Sequence, residues 1–354
     1  MSASAIDSRF LVADRLINSP ERPLDDCVLN REQVESWRSA GFLLLDGLFP
    51  DDLIATLATD AKAAYPKPGT TDARSITDFG SEGDFVFPSG STAFNTVTLH
   101  PRLLGAIAQL LDTTVSDLRL TQSDLWPKYG APDRAPEPHN NQDQRIHVDY
   151  PNHTLVHPPP WHRPEAVEAI LYLSDVDQCE GATAIVPREG EDDPCYPWPI
   201  VATPGVGELL YVNDRTSAED YMREVQPSSI PLRDALYERE RYVRFKPGTL
   251  LLYRHDVWHR GTPLKPDTVR LAQNLTFRRA ECEWLSTLHI GWAWQLYRSD
   301  QVLTKLLAQA SLDQRAVLGF PQPGSGYWCE QTIAAVHARF GALGMDMTPY
   351  LEAL

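Results

Sequence analysis

The strongest constraint on the fold is a series of short apolar segments between residues 118 and 277, each bounded by turn residues. Leu118–Trp126, Val167–Leu173, Ala182–Val186, Tyr242–Phe245, Thr249–Tyr253 and Val269–Phe277 have the length of strands rather than helices. Pro247-Gly248 is a turn between two of them. Short strands in such numbers stack as two antiparallel sheets, and the side chains between the sheets can line a cavity. The expected class is therefore mainly β with flanking helices, built on a double-stranded β-helix (jelly roll) core. Helices are predicted over 31–40, ended by Gly41, over 51–64 behind Asp51 and Asp52, and over 101–111 with proline in the first turn. Phe42–Leu45 reads as a strand, 66–92 and 130–143 as loops, and 205–240 gives no clear pattern. Two more helices are predicted over 301–310 and 332–340. The expectation is one domain over 1–354, with an N-terminal arm and supporting helices (1–115), the jelly-roll core (116–282) and a C-terminal helical cap (283–354).

Composition narrows the function. A net charge of −16 repels nucleic acid and anionic membranes, and weighs against a polyanionic substrate such as a coenzyme A thioester. The five cysteines are odd in number and form no C-x-x-C pair, so neither a disulfide scaffold nor a structural zinc site is expected. Cys179 and Cys282 read as buried thiols. No secretory signal and no apolar run of membrane-spanning length is visible, which predicts a cytoplasmic protein.

His147-Val148-Asp149 carries the chemistry. On an extended chain, residues two apart point to one face, so an imidazole and a carboxylate converge there. With one more histidine they make the facial triad that leaves iron open to substrate and oxygen. With 10 His and 48 acidic residues in 354, one such pair is expected by chance, so the motif needs company. His259 is the best third ligand, following an apolar strand and preceding Gly261; His255 is its rival. Arg270 lies eleven residues beyond His259, on the strand that a hairpin would bring back beside the metal. A guanidinium there suits bidentate capture of a carboxylate such as the remote one of 2-oxoglutarate.

With these pieces the chain resembles the phytanoyl-CoA dioxygenase-like branch of the Fe(II)/2-oxoglutarate oxygenases. The likeness rests on His147-Val148-Asp149, His259-Arg260-Gly261-Thr262 and Val269-Arg270-Leu271. It extends to Gly41-Phe42 with Gly47-Leu48-Phe49, to Glu180 through Pro187, and to Pro247 through Leu252, covering about residues 40–280. The resemblance implies Fe(II) held by His147, Asp149 and His259, with 2-oxoglutarate as cosubstrate anchored by Arg270. The Arg270 spacing favours His259 over His255. The resemblance also implies a polar contact to 2-oxoglutarate from Gln122 or Lys128, on the strand before the motif, with Thr262 as a further candidate. The implied reaction is hydroxylation of a small organic molecule with O2, releasing succinate and CO2. Halogenase relatives lack the carboxylate, so Asp149 favours hydroxylation or another oxidation over chlorination. The family's Gly-Ser-His after Val-Pro is replaced by Arg188-Glu189-Gly190, and the stretch between His147 and His259 is long.

Other function classes fit parts of the pattern: a cupin-like metal-binding protein without turnover, a peptide or protein hydroxylase, and a zinc hydrolase using the same ligands. His153, His157 and His162, around Pro158-Pro159-Pro160, read as loop residues before they read as ligands. Trp126, Tyr150, Tyr253 and Trp258 are candidates for core or for a substrate pocket. Trp292, Trp294 and Tyr297 suggest packing or a homodimer contact through the C-terminal helices.

Overall fold

The computed structural model describes residues 8–16, 27–76, 85–131, 137–153, 157–282, 301–312, 315 and 320–354. Trp292, Trp294 and Tyr297 lie outside them. In chain order the strands are β1 (Phe10–Leu11), β2 (Asp14–Arg15), β3 (Phe42–Asp46), β4 (Leu118–Tyr129), β5 (Ala166–Tyr172), β6 (Thr183–Ile185), β7 (Arg241–Val243), β8 (Leu250–Tyr253), β9 (His259–Gly261) and β10 (Val269–Arg279). The helices are α1 (Arg31–Ala40), α2 (Asp51–Ala64), α3 (Thr71–Ser75), α4 (Thr92–Thr98), α5 (Pro101–Leu111), α6 (Tyr150–His153), α7 (Val176–Cys179), α8 (Arg215–Val225), α9 (Ile230–Glu238), α10 (Val302–Gln309), α11 (Glu330–Phe340) and α12 (Thr348–Leu351).

The strands form a six-stranded sheet, β2-β3-β8-β5-β10-β4, and a four-stranded sheet, β1-β7-β6-β9. Both are open rather than closed into a barrel. The N-terminal arm contributes a short parallel strand to each: β1 pairs with β7 and β2 with β3.

Alternation along each strand sorts the two faces of the larger sheet. Leu43, Leu45, Val167, Ala169, Leu171, Leu250, Leu252, Leu271, Leu275 and Phe277 pack on α1, α2, α4 and α5, against Trp37, Leu57, Phe94 and Ile107. The intervening residues Leu44, Tyr172, Leu251, Tyr253 and Ala272 face the smaller sheet and meet Ile185, Val243 and Phe245. Tyr172 and Phe245 stack with centroids 4.2 Å apart across that interior. This is the jelly-roll arrangement, with the functional residues on its interior face.

Local signals explain the entry into the sheet. Asn30 and Gln33 cap α1 reciprocally, and Gly41 ends it at φ 90. A Cβ on Gly41 would lie 2.4 Å from Val257, so this turn needs glycine twice over. The region without a sequence pattern, 205–240, forms α8 and α9. Asp214 caps α8 by accepting from Ser217, and Pro231 occupies the first turn of α9. At the other end, α11 and α12 build a separate small core around Phe320, Trp328, Phe340 and Tyr350.

Candidate metal centre

The H-x-D segment is extended but is not a continuous strand. Single bridges hold it, His147 to His259 and Gln144 to Asp214. His147 and His259 exchange both backbone hydrogen bonds, at 3.0 and 2.9 Å. The Asp149 and Tyr150 amides then both donate to the His255 carbonyl, at 2.9 and 2.8 Å, which turns the chain into α6.

This backbone brings three side chains together. One ligand atom from each of His147, Asp149 and His259 lies within 4.8 Å of the others. Nε2 of His259 is 3.2 Å from Oδ2 of Asp149, and Nε2 of His147 is 3.6 Å from Oδ1. Each imidazole places Nδ1 3.0 Å from a backbone carbonyl, Arg145 for His147 and Val257 for His259. An Nδ1–H donating there leaves Nε2 as the bare lone pair facing the centre. Burial, then the neighbouring His259, pushes His147 down to about 3, which keeps it neutral. Burial also acts to lower His259, but the Asp149 charge outweighs it and raises that imidazole. The Tyr253 hydroxyl donates to Oδ2 of Asp149 at 2.7 Å.

His255 is not in the cluster. Its ring is buried beside Glu165, with Nε2 3.6 Å from that carboxylate, and its service to the site is its backbone carbonyl. His157 is also buried away from the centre. Its Nδ1 lies 2.8 Å from the Pro158 carbonyl and its Nε2 accepts from the Ile200 amide. His162 is exposed, and His153 lies in α6.

Arg270 stands on β10 directly across from Lys128 on β4, both buried. The Arg270 guanidinium donates to the Gly181 carbonyl at 2.7 Å, while its Nε has no hydrogen-bond partner. Lys128 donates to the carbonyls of Gln142 and Thr262, at 3.0 and 3.1 Å. Among the described residues no carboxylate forms an ion pair with either cation. Burial, reinforced by Arg270, holds the Lys128 ammonium well below the usual lysine range. The other two candidates are neutral and also engaged. The Thr262 hydroxyl donates to the Ala182 carbonyl. Gln122 donates to Asp124 and accepts from Thr276.

Several supporting residues have no local sequence signal. Arg233, fully buried, pairs with Glu219 at 2.6 Å and reaches the Ile146 carbonyl, while Tyr237 bonds both Glu219 and the Ile146 amide. This network from α8 and α9 holds the residue just before His147. The Asp214 cap marks α8, but nothing local marks the α8–α9 pair as a brace. Arg254 forms a buried pair with Asp256 and lies over the Trp161 ring at 3.6 Å, fixing the turn that leads to His259. Arg339 of α11 lies over Tyr150, so the C-terminal helices touch the far side of the motif. Glu168, next to Tyr253 in β5–β8 register, is raised well above the carboxylate range by burial and then by Asp149.

No described helix is long and apolar enough to cross a membrane. Several solved structures are similar to this chain. The α-ketoglutarate-dependent carbocyclase SnoK from nogalamycin biosynthesis is 15% identical, with 84% of this chain and 94% of that one covered and a TM-score of 0.46. EvdO2 from Micromonospora carbonacea var. aurantiaca is 16% identical, covering 71% and 91% with a TM-score of 0.46. HygX from Streptomyces hygroscopicus, solved with iron bound, is 15% identical, covering 73% and 90% with a TM-score of 0.46. No curated protein matches the sequence. The family model for phytanoyl-CoA dioxygenase (PhyH) matches residues 37–272, a span that runs from α1 through both halves of the metal cluster to Arg270, and the chain belongs to that family.

Proposed function

We propose that this chain is an Fe(II)- and 2-oxoglutarate-dependent dioxygenase that hydroxylates a small organic molecule and releases succinate and CO2. The observation that carries the reading is the pairing of a His-Asp-His cluster with a buried guanidinium that no described carboxylate satisfies. A buried unpaired charge is costly unless a ligand compensates it. Arg270, with Nε unpartnered and Lys128 beside it, suits the remote carboxylate of 2-oxoglutarate. Lys128 is favoured over Gln122 and Thr262 as the second contact, because it is a buried cation directly across from Arg270 and bonds only backbone carbonyls, with no described carboxylate paired to it.

The donor set fits iron. Two imidazole nitrogens and one carboxylate oxygen from His147, His259 and Asp149 would hold the ion from one side, a donor set suited to non-haem iron. Bound there, Fe(II) with 2-oxoglutarate supplies the oxidising power that O2 alone lacks toward an unactivated C–H bond. His147, Asp149 and His259 position it, the buried surroundings restrict water, and Arg270 orients the cosubstrate. All three protein ligands are present, so the reading is hydroxylation rather than chlorination.

The test is an anaerobic titration with Fe(II) and 2-oxoglutarate, followed by the visible metal-to-ligand charge-transfer band. Wild type should develop the band, His259→Ala should abolish it, and His255→Ala should keep it. Arg270→Ala should raise the 2-oxoglutarate concentration needed by at least about tenfold, from the loss of a desolvated charge contact worth roughly 2 kcal/mol or more. A protein that forms no band and never converts 2-oxoglutarate to succinate in oxygen is not this enzyme.

A further inference from the structure

The interior face of the six-stranded sheet is ordered in rows, each row set by strand register. Lys128 and Arg270 form the first row. Trp126, Ala272 and Tyr172 form the next, then Asp124, Asn274 and Ile170, then Gln122, Thr276, Glu168 and Tyr253. Tyr253 in the last row touches the metal-ligand candidate Asp149. The cation pair and the metal cluster therefore lie toward different rows of one floor.

Exposure marks where this floor is open. On β4, Ser123, Leu125 and Pro127 point toward the helices and are buried, whereas Gln122, Asp124 and Trp126 point between the sheets and are partly exposed. Asn274 and Ile170, which continue the Asp124 row, are partly exposed too. Solvent therefore reaches between the sheets at this row.

Asp124 is the carboxylate of that opening. Its partners are neutral: the Gln122 amide donates to Oδ2 at 3.0 Å, and Asn274 and Trp126 also donate to it. Its Oδ1 is closed off from solvent and has no hydrogen-bond partner. No cation among the described residues pairs with it. Burial pushes its carboxyl up to about 6, so an arriving cation would restore the charged form. The floor is thus cationic at the row assigned to 2-oxoglutarate and anionic two rows along.

We propose that Asp124 is a substrate-binding residue and that the substrate carries a protonated amine, which the Asp124 carboxylate receives. This deepens the oxygenase reading above and rests on it. A polyanionic substrate does not suit this end of the floor, and a neutral alcohol would leave the charge uncompensated.

The test uses calorimetry on the full chain with Fe(II) and 2-oxoglutarate under argon, with matched pairs of small primary amines and alcohols, ethyl to hexyl and benzyl. Wild type should bind the amines at least tenfold more tightly than alcohols of the same skeleton. Asp124→Asn should lose that preference while keeping the charge-transfer band, and Asp124→Ser provides a second variant if the first folds poorly. Equal binding of amines and alcohols by wild type, or an amine preference that survives in a folded Asp124 variant, overturns the proposal. A missing band in wild type speaks against the oxygenase reading instead, since the calorimetric comparison does not depend on the band.

Discussion

Tyr253→Phe isolates one hydrogen bond at the centre. The ring is buried on β8, its centroid 4.8 Å from that of His259, so phenylalanine keeps the packing and removes only the hydroxyl. That hydroxyl donates to Oδ2 of Asp149 at 2.7 Å, the same oxygen that faces His259. Burial, then the charges of Asp149 and Glu168, holds the phenol well above its usual range, so it remains a donor at any working pH. A hydrogen bond to an ionised group contributes about 1.5–3 kcal/mol. Its role is to fix which carboxylate oxygen is presented to a metal, and loss of such outer contacts lowers metal affinity by about 10–100-fold. Equilibrium titration with Fe(II) or Co(II), monitored by fluorescence and by the ligand-field spectrum, should give a dissociation constant raised by about that factor. The thermal midpoint of the metal-free protein should move little. An unchanged dissociation constant in a folded Tyr253→Phe variant would refute the reasoning, because Asp149 would then be held by its backbone alone.

Other consequences follow from the surroundings of the site. Glu219→Gln leaves Arg233 buried without its counter-charge and should cost about 3–5 kcal/mol in denaturant unfolding, with metal affinity falling as Ile146 loosens. Gly261→Ala would place a Cβ 2.4 Å from Oε1 of Gln144 and 3.2 Å from the Lys128 ammonium; the expected cost is about 1–3 kcal/mol, with weaker 2-oxoglutarate binding, read by calorimetry. His157 supplies a pH test. Burial pushes it down to about 3 from an ordinary 6.5, so the unfolded chain binds its proton first as pH falls. Its contribution is complete above pH 6.5 and is lost between there and about 3, at about 1.4 kcal/mol per pH unit. His157→Gln should flatten the acid limb of stability against pH by about that slope, and an unchanged limb would show that His157 is not the titrating group.

What the sequence made legible and what it hid have a common physical cause. Short-range signals survive translation into structure: Gly41 ending α1, the start of α2 at Asp51, the proline opening α5 and the apolar runs of β5 and β10 all sit where period and turn chemistry placed them. His147 and Asp149 were readable because two residues of extended chain suffice to align them, even though only isolated bridges hold that segment. The third candidate ligand needed contact across the whole roll, and residue type alone left His255 and His259 open. Backbone pairing separates them: His259 exchanges hydrogen bonds with His147, whereas His255 offers its carbonyl to Asp149 and turns its ring toward Glu165. Tyr253, Asp124 and Arg233 carry no local mark, because each acts through a partner distant in sequence. Asp124 is the sharpest case. On β4 it is one polar residue among several, and only the register of three strands shows that it, Asn274 and Ile170 share one partly open row of the interior face. A chain-local pattern points to two members of a candidate metal-ligand set because metals impose their own geometry; it does not point to a substrate contact, whose geometry is set by the space between the sheets.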